Sequence, residues 1–254
     1  MSKQIPLFWW SGEGNKNFGD VISKEIVEYV SKKKAFFSFG MEEKILAVGS
    51  IIHLANNGDS IWGSGYIGTG LIPKNLKVYA VRGPKTRQVL LDNGIECPKI
   101  YGDPAILLPK IYKINDFIKK EYKVGVLPHY VDKQKTLNLI KNEKLINFID
   151  VFAHPQKIIT EINKCEVILS SSLHGVIVAE AYDIPAARYD IGGPITGGDF
   201  KYEDYYLSTD RDPKKLDWAR SYDLNDSIKF AKTILKPRFE SDKLIQSFPT
   251  NLFS

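Results

Sequence analysis

Between residues 122 and 190 short apolar runs alternate with amphipathic stretches. In order they are "YKVGVLPHY" (122–130), a helical pattern over 132–142, "LINFIDV" (145–151), "PQKIITEINK" (155–164), "VILSS" (167–171), a helical pattern over 174–183, and "AARYD" (186–190). Strands separated each time by one helix run parallel, and a parallel sheet is buried on both faces beneath those helices. This confines the chain to the α/β class. The first half alternates less regularly, with strands expected at "IPLFWW" (5–10), "KILAVGS" (44–50), "SIWGSG" (60–65), "KVYAVRG" (77–83) and "KIYGDPA" (99–105). A helix fits residues 20–31, where Val21, Ile22, Ile26, Val27 and Val30 share a face behind Asp20 as N-cap. Another fits residues 84–93, opening at Pro84 and stopping at Gly94.

The lysine-rich "PKIYKINDFIKKEYK" (109–123) reads as an interdomain linker. Two Rossmann-like lobes follow, 1–115 and 116–254, with a cleft expected between them. The tract "IGGPITGGDFKYEDYY" from 191 reads as a loop bordering a site, and "NDSIKFAKTIL" (225–235) as a terminal amphipathic helix.

With 254 residues, 43% of them hydrophobic, the chain can bury the cores of two ordinary domains. No apolar run approaches the ~18–20 residues of a membrane span. The opening "MSKQIPLFWW" is too short in apolar residues for a signal peptide, so a cytoplasmic location is expected. Cys97 and Cys165 match no metal or redox spacing and are expected as buried thiols. No two histidines fall at ligand spacing, so no metal is expected. The net charge of +5 favours an anionic substrate, or peripheral contact with an anionic membrane surface. Zinc-finger spacing, an RNA-binding signature and a strongly basic helix are all missing, which argues against nucleic acid. Only six of the 35 basic residues are arginine, so each is informative.

In a parallel sheet ligands collect where strands end and helices begin, because N–H groups and the helix dipole converge there. The stretch "SSSLHG" is such a place: Ser170, Ser171 and Ser172 end a strand, and His174 enters the next helix. The serines can cradle an anion and His174 can move a proton, or the serines cap the helix and His174 is a satisfied histidine. "YAVRGPKTRQVL" (79–90) places Arg82 and Arg87 on either side of a strand-to-helix turn, where two guanidinium groups call for an anion. "WWSGEGNKNFGD" (9–20) and "IWGSGYIGTG" (61–70) are glycine-rich strand ends, and "GVLPHY" places His129 at another. "GDPA" (102–105) reads as a turn capped by Asp103, while His53 and His154 have no such placement.

Taken in order, "NFGD", "GSG", "RGPKTR", "GDPA", "LPHY", "SSLHG" and "AEAYDIPA" resemble the polysaccharide pyruvyl transferase family. The resemblance runs from near residue 17 to near residue 187. It implies a fold similar to the glycosyltransferase-B type, two facing Rossmann-like lobes acting without metal or cofactor. The donor would be phosphoenolpyruvate and the acceptor a hexose, commonly galactose, of a surface polysaccharide; the product would be a cyclic pyruvate ketal. Arg82 and Arg87 would bind the donor's anionic groups, and Gly65 of "GSG" would contribute to donor binding. Ser171, Ser172, Leu173 and Gly175 would hold its phosphate. His174 would protonate the donor's methylene carbon, Asp20 and His129 both stand as candidates for the base, and Asn17 and Glu180 would face the acceptor. A lipid-linked acceptor at the inner membrane face is compatible with the basic surface.

Two departures stand out. Several family members carry arginine where Ser172 stands, so another cation, Arg87, Lys85 or Arg188, must substitute. Asp183 replaces a glycine in "AYDIP", which a left-handed helix end tolerates. Two other readings fit the same residues. One is a nucleotide-sugar glycosyltransferase with Glu180 on the ribose; the other is a non-catalytic sugar-binding scaffold.

Overall fold

The computed structural model describes residues 4–10, 18–40, 42–115, 118–193 and 197–253, without the side chains of Asp20 and Phe253. In chain order the elements of the first half are β1 (Ile5–Phe8), α1 (Phe18–Ser31), β2 (Ala35–Phe37), β3 (Ile45–Leu46), β4 (Ser60–Trp62), β5 (Lys77–Ala80), α2 (Pro84–Asp92) and α3 (Leu108–Ile111). Then come β6 (Tyr122–Leu127), α4 (Lys133–Ile140), β7 (Ile146–Phe148), α5 (Pro155–Asn163), β8 (Cys165–Ser170), α6 (Leu173–Ala181) and β9 (Ala186–Asp190). The chain ends with α7 (Phe200–Leu207), β10 (Lys215–Asp217), α8 (Leu224–Thr233) and α9 (Ser241–Gln246).

The chain forms two compact units. The first comprises Met1–Leu107, Thr196–Asp212 and Arg238–Ser254; the second comprises Leu108–Ile195 and Pro213–Pro237. Among the described residues each unit holds one five-stranded parallel sheet, in the orders β2-β1-β3-β4-β5 and β10-β9-β8-β6-β7. Renumbered within its own unit, each order is 2-1-3-4-5. The α/β expectation therefore holds, and both units have a topological switch point, between β1 and β3 in the first and between β6 and β8 in the second.

Each core forms where the strand pattern is apolar. The first gathers Phe8, Leu46, Ile61, Val81 and Leu90; the second gathers Val124, Val126, Val167, Leu169 and Tyr189, whose ring stacks on Trp218 at 4.0 Å. Apart from His174 and Glu180 helix α6 is apolar on every side, and all of its residues except His174 and Ala181 are buried, as a helix enclosed by its surroundings requires. It ends at Asp183 in the left-handed region, φ +61°. Both cysteines are free and buried, and desolvation raises their pKa values to about 11 for Cys97 and about 12 for Cys165.

Several expectations need correction. The strand expected over 99–105 shrinks to one bridge, Val81 with Tyr101, because Pro98 and Pro104 have no N–H for a ladder. The boundary expected at 115/116 lies instead at Leu107/Leu108, and the second unit does not run to the C-terminus. The supposed linker is part of the second unit: α3 opens it, Tyr182 donates its hydroxyl to the Tyr112 carbonyl at 2.8 Å, and Lys120 reaches the Asn163 carbonyl at 2.8 Å. The tract read as a loop after 191 contains α7, with Tyr202, Asp204, Tyr205 and Tyr206 buried. Strands β2 and β10 and helix α9 were not anticipated.

Candidate functional site

In the second unit the switch point brings together the loop after β6 and the turn from β8 into α6. Ser170 and Ser171 are completely buried and Ser172 nearly so. The Ser170 hydroxyl lies 2.5 Å from the Leu127 carbonyl of the neighbouring strand and accepts the Ser172 N–H at 3.0 Å. The Ser171 hydroxyl accepts the His129 N–H at 2.9 Å and bonds the Tyr189 hydroxyl, which also pairs with Thr136 at 2.9 Å. The two loops are thus joined through a serine. Ser172 is the N-cap residue of α6, yet its side chain makes no cap hydrogen bond. Capping therefore does not explain the third serine.

His174 is the second residue of α6 and half-buried, with Nε2 shielded from solvent. His129 is also half-buried, and its Nδ1 accepts the Val131 N–H at 3.4 Å, which places the neutral ring's proton on Nε2. Gly175 is required here: a Cβ on it would stand 2.2 Å from the Ser170 hydroxyl oxygen. Leu173 is buried. Arg188 of β9 is the register partner of Ser170 and is buried, with a nitrogen 4.0 Å from the Asp190 carboxylate. Neighbouring register positions in a parallel sheet share a face, so Arg188 and Ser170 project to the same side. Glu180 does not join this group. Six residues along α6 it lies about 9 Å down the axis, buried beside Asp183 and Lys236 at the other end of the helix.

In the first unit the strand-end arginine is placed differently from expectation. Arg82 is completely buried. Its Nε donates to Asp204 at 3.1 Å, one terminal nitrogen to the Ser50 hydroxyl at 2.6 Å and the other to the Tyr66 carbonyl at 3.1 Å. The anion called for by "RGPKTR" is the chain's own Asp204, so Arg82 does not offer an open guanidinium to a donor. Gly65 is there for packing, since a Cβ would fall 2.2 Å from the centre of that guanidinium. Arg87 donates to the Cys97 carbonyl at 3.0 Å, and Lys85 pairs with Glu203.

Asp20 sits in the first turn of α1 and not at its cap, with its side chain outside the described residues. Asn17 lies outside them altogether. Asp103 caps its turn as expected, accepting the Ala105 N–H at 3.0 Å. His154 is the N-cap of α5 and accepts the Gln156 N–H at 3.3 Å. His53 is half-buried beside Gly70, and burial lowers its pKa. The sequence reading passed over Asp204, Thr136, Tyr189 and buried Asp132. Of these only Asp132, three residues after His129 in "PHYVD", carried a local signal. Among the described residues no three His, Cys, Asp or Glu side chains gather as a metal-binding group, and no helix is long and apolar enough to cross a membrane.

Comparison with known proteins adds three findings. The sequence profile described as polysaccharide pyruvyl transferase matches residues 17–191. An uncharacterized protein of Acanthamoeba polyphaga mimivirus is 33% identical over 165 residues, which is 62% of this chain and 57% of that protein. The succinoglycan biosynthesis protein ExoV of Rhizobium meliloti (strain 1021) is 26% identical over 210 residues, 79% of this chain and 63% of its own length. The chain therefore spans about six tenths of the length of these curated relatives. No solved structure is significantly similar. The profile covers more than half of the chain and includes the loop after β6 and the β8–α6 turn, and on that ground the chain belongs to the polysaccharide pyruvyl transferase family.

Proposed function

We propose that the protein transfers the pyruvyl group of phosphoenolpyruvate to a hexose, galactose in the simplest case, of a surface polysaccharide repeat unit. The observation that carries this reading is the second unit's switch point, where a buried serine turn, the N-terminus of α6, His174 and His129 converge. Family membership supplies the reaction class, and the name of the succinoglycan biosynthesis relative supports a polysaccharide setting.

The donor's phosphate sits at the start of α6, where free N–H groups and the helix dipole favour an anion. Arg188, on the strand beside Ser170, stands in for the arginine that Ser172 replaces. His174 delivers a proton to the donor's methylene carbon while a sugar hydroxyl attacks the adjacent carbon. The hydroxyl proton passes to a base, for which Asp20 and His129 are the candidates; His129 can take it only at Nδ1, giving up the Val131 N–H hydrogen bond. The phosphate then leaves, taking the C–O electron pair and the proton held by the base, and a second hydroxyl closes the ketal, its proton returning to His174. One phosphoenolpyruvate and one diol thus give one ketal and one phosphate. No cofactor enters this balance. A lipid-linked acceptor presented at the cytoplasmic face of the inner membrane fits the basic surface.

Glu180, the residue that favoured a nucleotide-sugar donor, lies at the opposite end of α6 from His174, so that reading loses its main support. Incubating the protein with phosphoenolpyruvate and a panel of galactosides, followed by phosphate release and product mass, tests the proposal. Thermal stabilisation by phosphoenolpyruvate and not by nucleoside diphosphates is expected, and the reverse pattern would sink it. His174→Ala should lower turnover by about 10²–10⁴ with the fold retained.

A further inference from the structure

The carboxylate of Asp204 lies beyond the family-matched residues and is buried inside the first unit. One oxygen accepts the Thr86 N–H at 2.9 Å; the other accepts the Thr86 hydroxyl at 2.6 Å and Arg82 Nε at 3.1 Å. Both partners then reach the same residue. Thr86 Oγ1 accepts the Tyr66 N–H at 3.0 Å, and Arg82 donates to the Tyr66 carbonyl at 3.1 Å. Arg82 also holds Ser50 in the loop after β3, and the Tyr66 hydroxyl donates to the Gly70 carbonyl at 2.6 Å. A single carboxylate therefore fixes both polar groups of the Tyr66 backbone, and through them the glycine-rich segment 63–70.

That segment has strong need of such fixing. Gly63, Gly68 and Gly70 have positive φ, and glycine-rich backbone has many conformations to lose on ordering. It follows β4 at the C-terminal edge of the sheet, as Ser50 follows β3, and in doubly wound sheets ligands are held by loops of this edge. The contact is also close: Gly83 has no side chain because a Cβ would stand 1.9 Å from the Asp204 carbonyl oxygen. Phe200 of the same helix packs edge-on against the Tyr66 ring at 5.9 Å.

We infer that Asp204 is a positioning residue which, through Arg82 and Thr86, sets segment 63–70 as an acceptor-binding loop of the first unit. The choice of acceptor as its ligand rests on the function proposed above; the positioning role does not. Two readouts separate them. Amide hydrogen exchange should quicken about tenfold in segment 63–70 of Thr86→Val, with β1 and β6 unchanged, while Thr86→Ser, which keeps the hydroxyl, stays near wild type; Asp204→Asn also strands the Arg82 charge and loosens the first unit more widely, so Thr86→Val carries the test. In turnover assays Thr86→Val should raise KM for the sugar acceptor about tenfold, with kcat and the phosphoenolpyruvate KM within about threefold. Exchange that quickens equally throughout the first unit, or a segment 63–70 that keeps wild-type protection, overturns the positioning role. An unchanged acceptor KM with a loosened segment overturns the ligand assignment alone. A wild-type protein that never releases phosphate refutes the proposed function while leaving the exchange comparison intact.

Discussion

Arg82 and Asp204 form an ion pair from which water is excluded, and the stability of such a pair depends on both members being present. Removing one charge leaves the other buried and uncompensated, which costs about 3–5 kcal/mol; replacing both with apolar groups of similar volume is often close to neutral. We therefore expect Arg82→Met alone to lower the urea midpoint severely and Arg82→Met with Asp204→Leu to recover much of it. Equal loss in the single and double variants would show that the guanidinium acts by packing and not by charge. Gly65→Ala tests the same site sterically: its Cβ would meet the guanidinium at 2.2 Å, an overpacking expected to cost about 1–3 kcal/mol. The thiols offer a milder check. With burial holding Cys97 and Cys165 at about 11 and about 12, neither forms thiolate near neutral pH, so a disulfide reagent should find both only after denaturation. Fast labelling of the folded protein would contradict their placement.

At the scale of elements, the turn that closes β9 is held by one carboxylate. Asp190 accepts the Gly192 N–H at 2.9 Å and Lys215 of β10 at 3.1 Å, with Arg188 at 4.0 Å. Burial alone would raise its pKa, but the Gly192 hydrogen bond and the two cations together bring it below the ordinary 3.8. A depressed carboxylate stabilises the fold above its unfolded pKa and loses that contribution as pH falls through the folded value. Asp190→Asn should therefore cost about 0.5–1 kcal/mol at neutral pH, a partly exposed pair being screened. Urea titrations at descending pH should show wild type and variant converging below 3.8; a gap that stays constant would remove the charge from the explanation. Elements of this kind were legible in the sequence to very different degrees. Helices α1, α2, α5 and α6 and strands β6, β8 and β9 announce themselves by local periodicity, so their bounds fall within a few residues of expectation. Helix α7 does not, because glycines lead into it and its buried face is tyrosine and aspartate. What makes burial of Asp204 tolerable is Arg82, 122 residues earlier in the chain, and no local pattern reports that. The same distance hides the fate of Arg82: its motif signals an anion, and only the fold shows that the anion is internal. By contrast "SSSLHG" was readable because strand, turn, serines and histidine are contiguous.

At the scale of the whole molecule, the first unit is assembled from three stretches of chain, and its last stretch, Arg238–Ser254, lies beyond the family-matched residues. A simple division near the middle was expected because sequence reading assigns neighbours in the chain to neighbours in space. The structure shows why the C-terminal stretch returns. Trp62 of β4 is completely buried, and its indole N–H donates to the Leu244 carbonyl of α9 at 2.9 Å. The Phe248 ring packs edge-on against the indole at 4.9 Å. Leu244 is itself fully buried and also covers Gly102. Ending the chain after Pro237 would strip the indole of its hydrogen-bond partner and of its aromatic neighbour together, exposing apolar surface in the first unit. Leu244→Ala is the smaller form of the same change and should cost about 2–5 kcal/mol. Hydrogen exchange then locates the damage: in the truncated chain β3, β4 and residues 101–107 should lose protection, while β6, β8 and α6 of the second unit keep theirs. Equal loss in both sets of peptides would mean that the C-terminal stretch supports the protein generally. Loss confined to the first set would identify it as the piece of chain that completes the first unit.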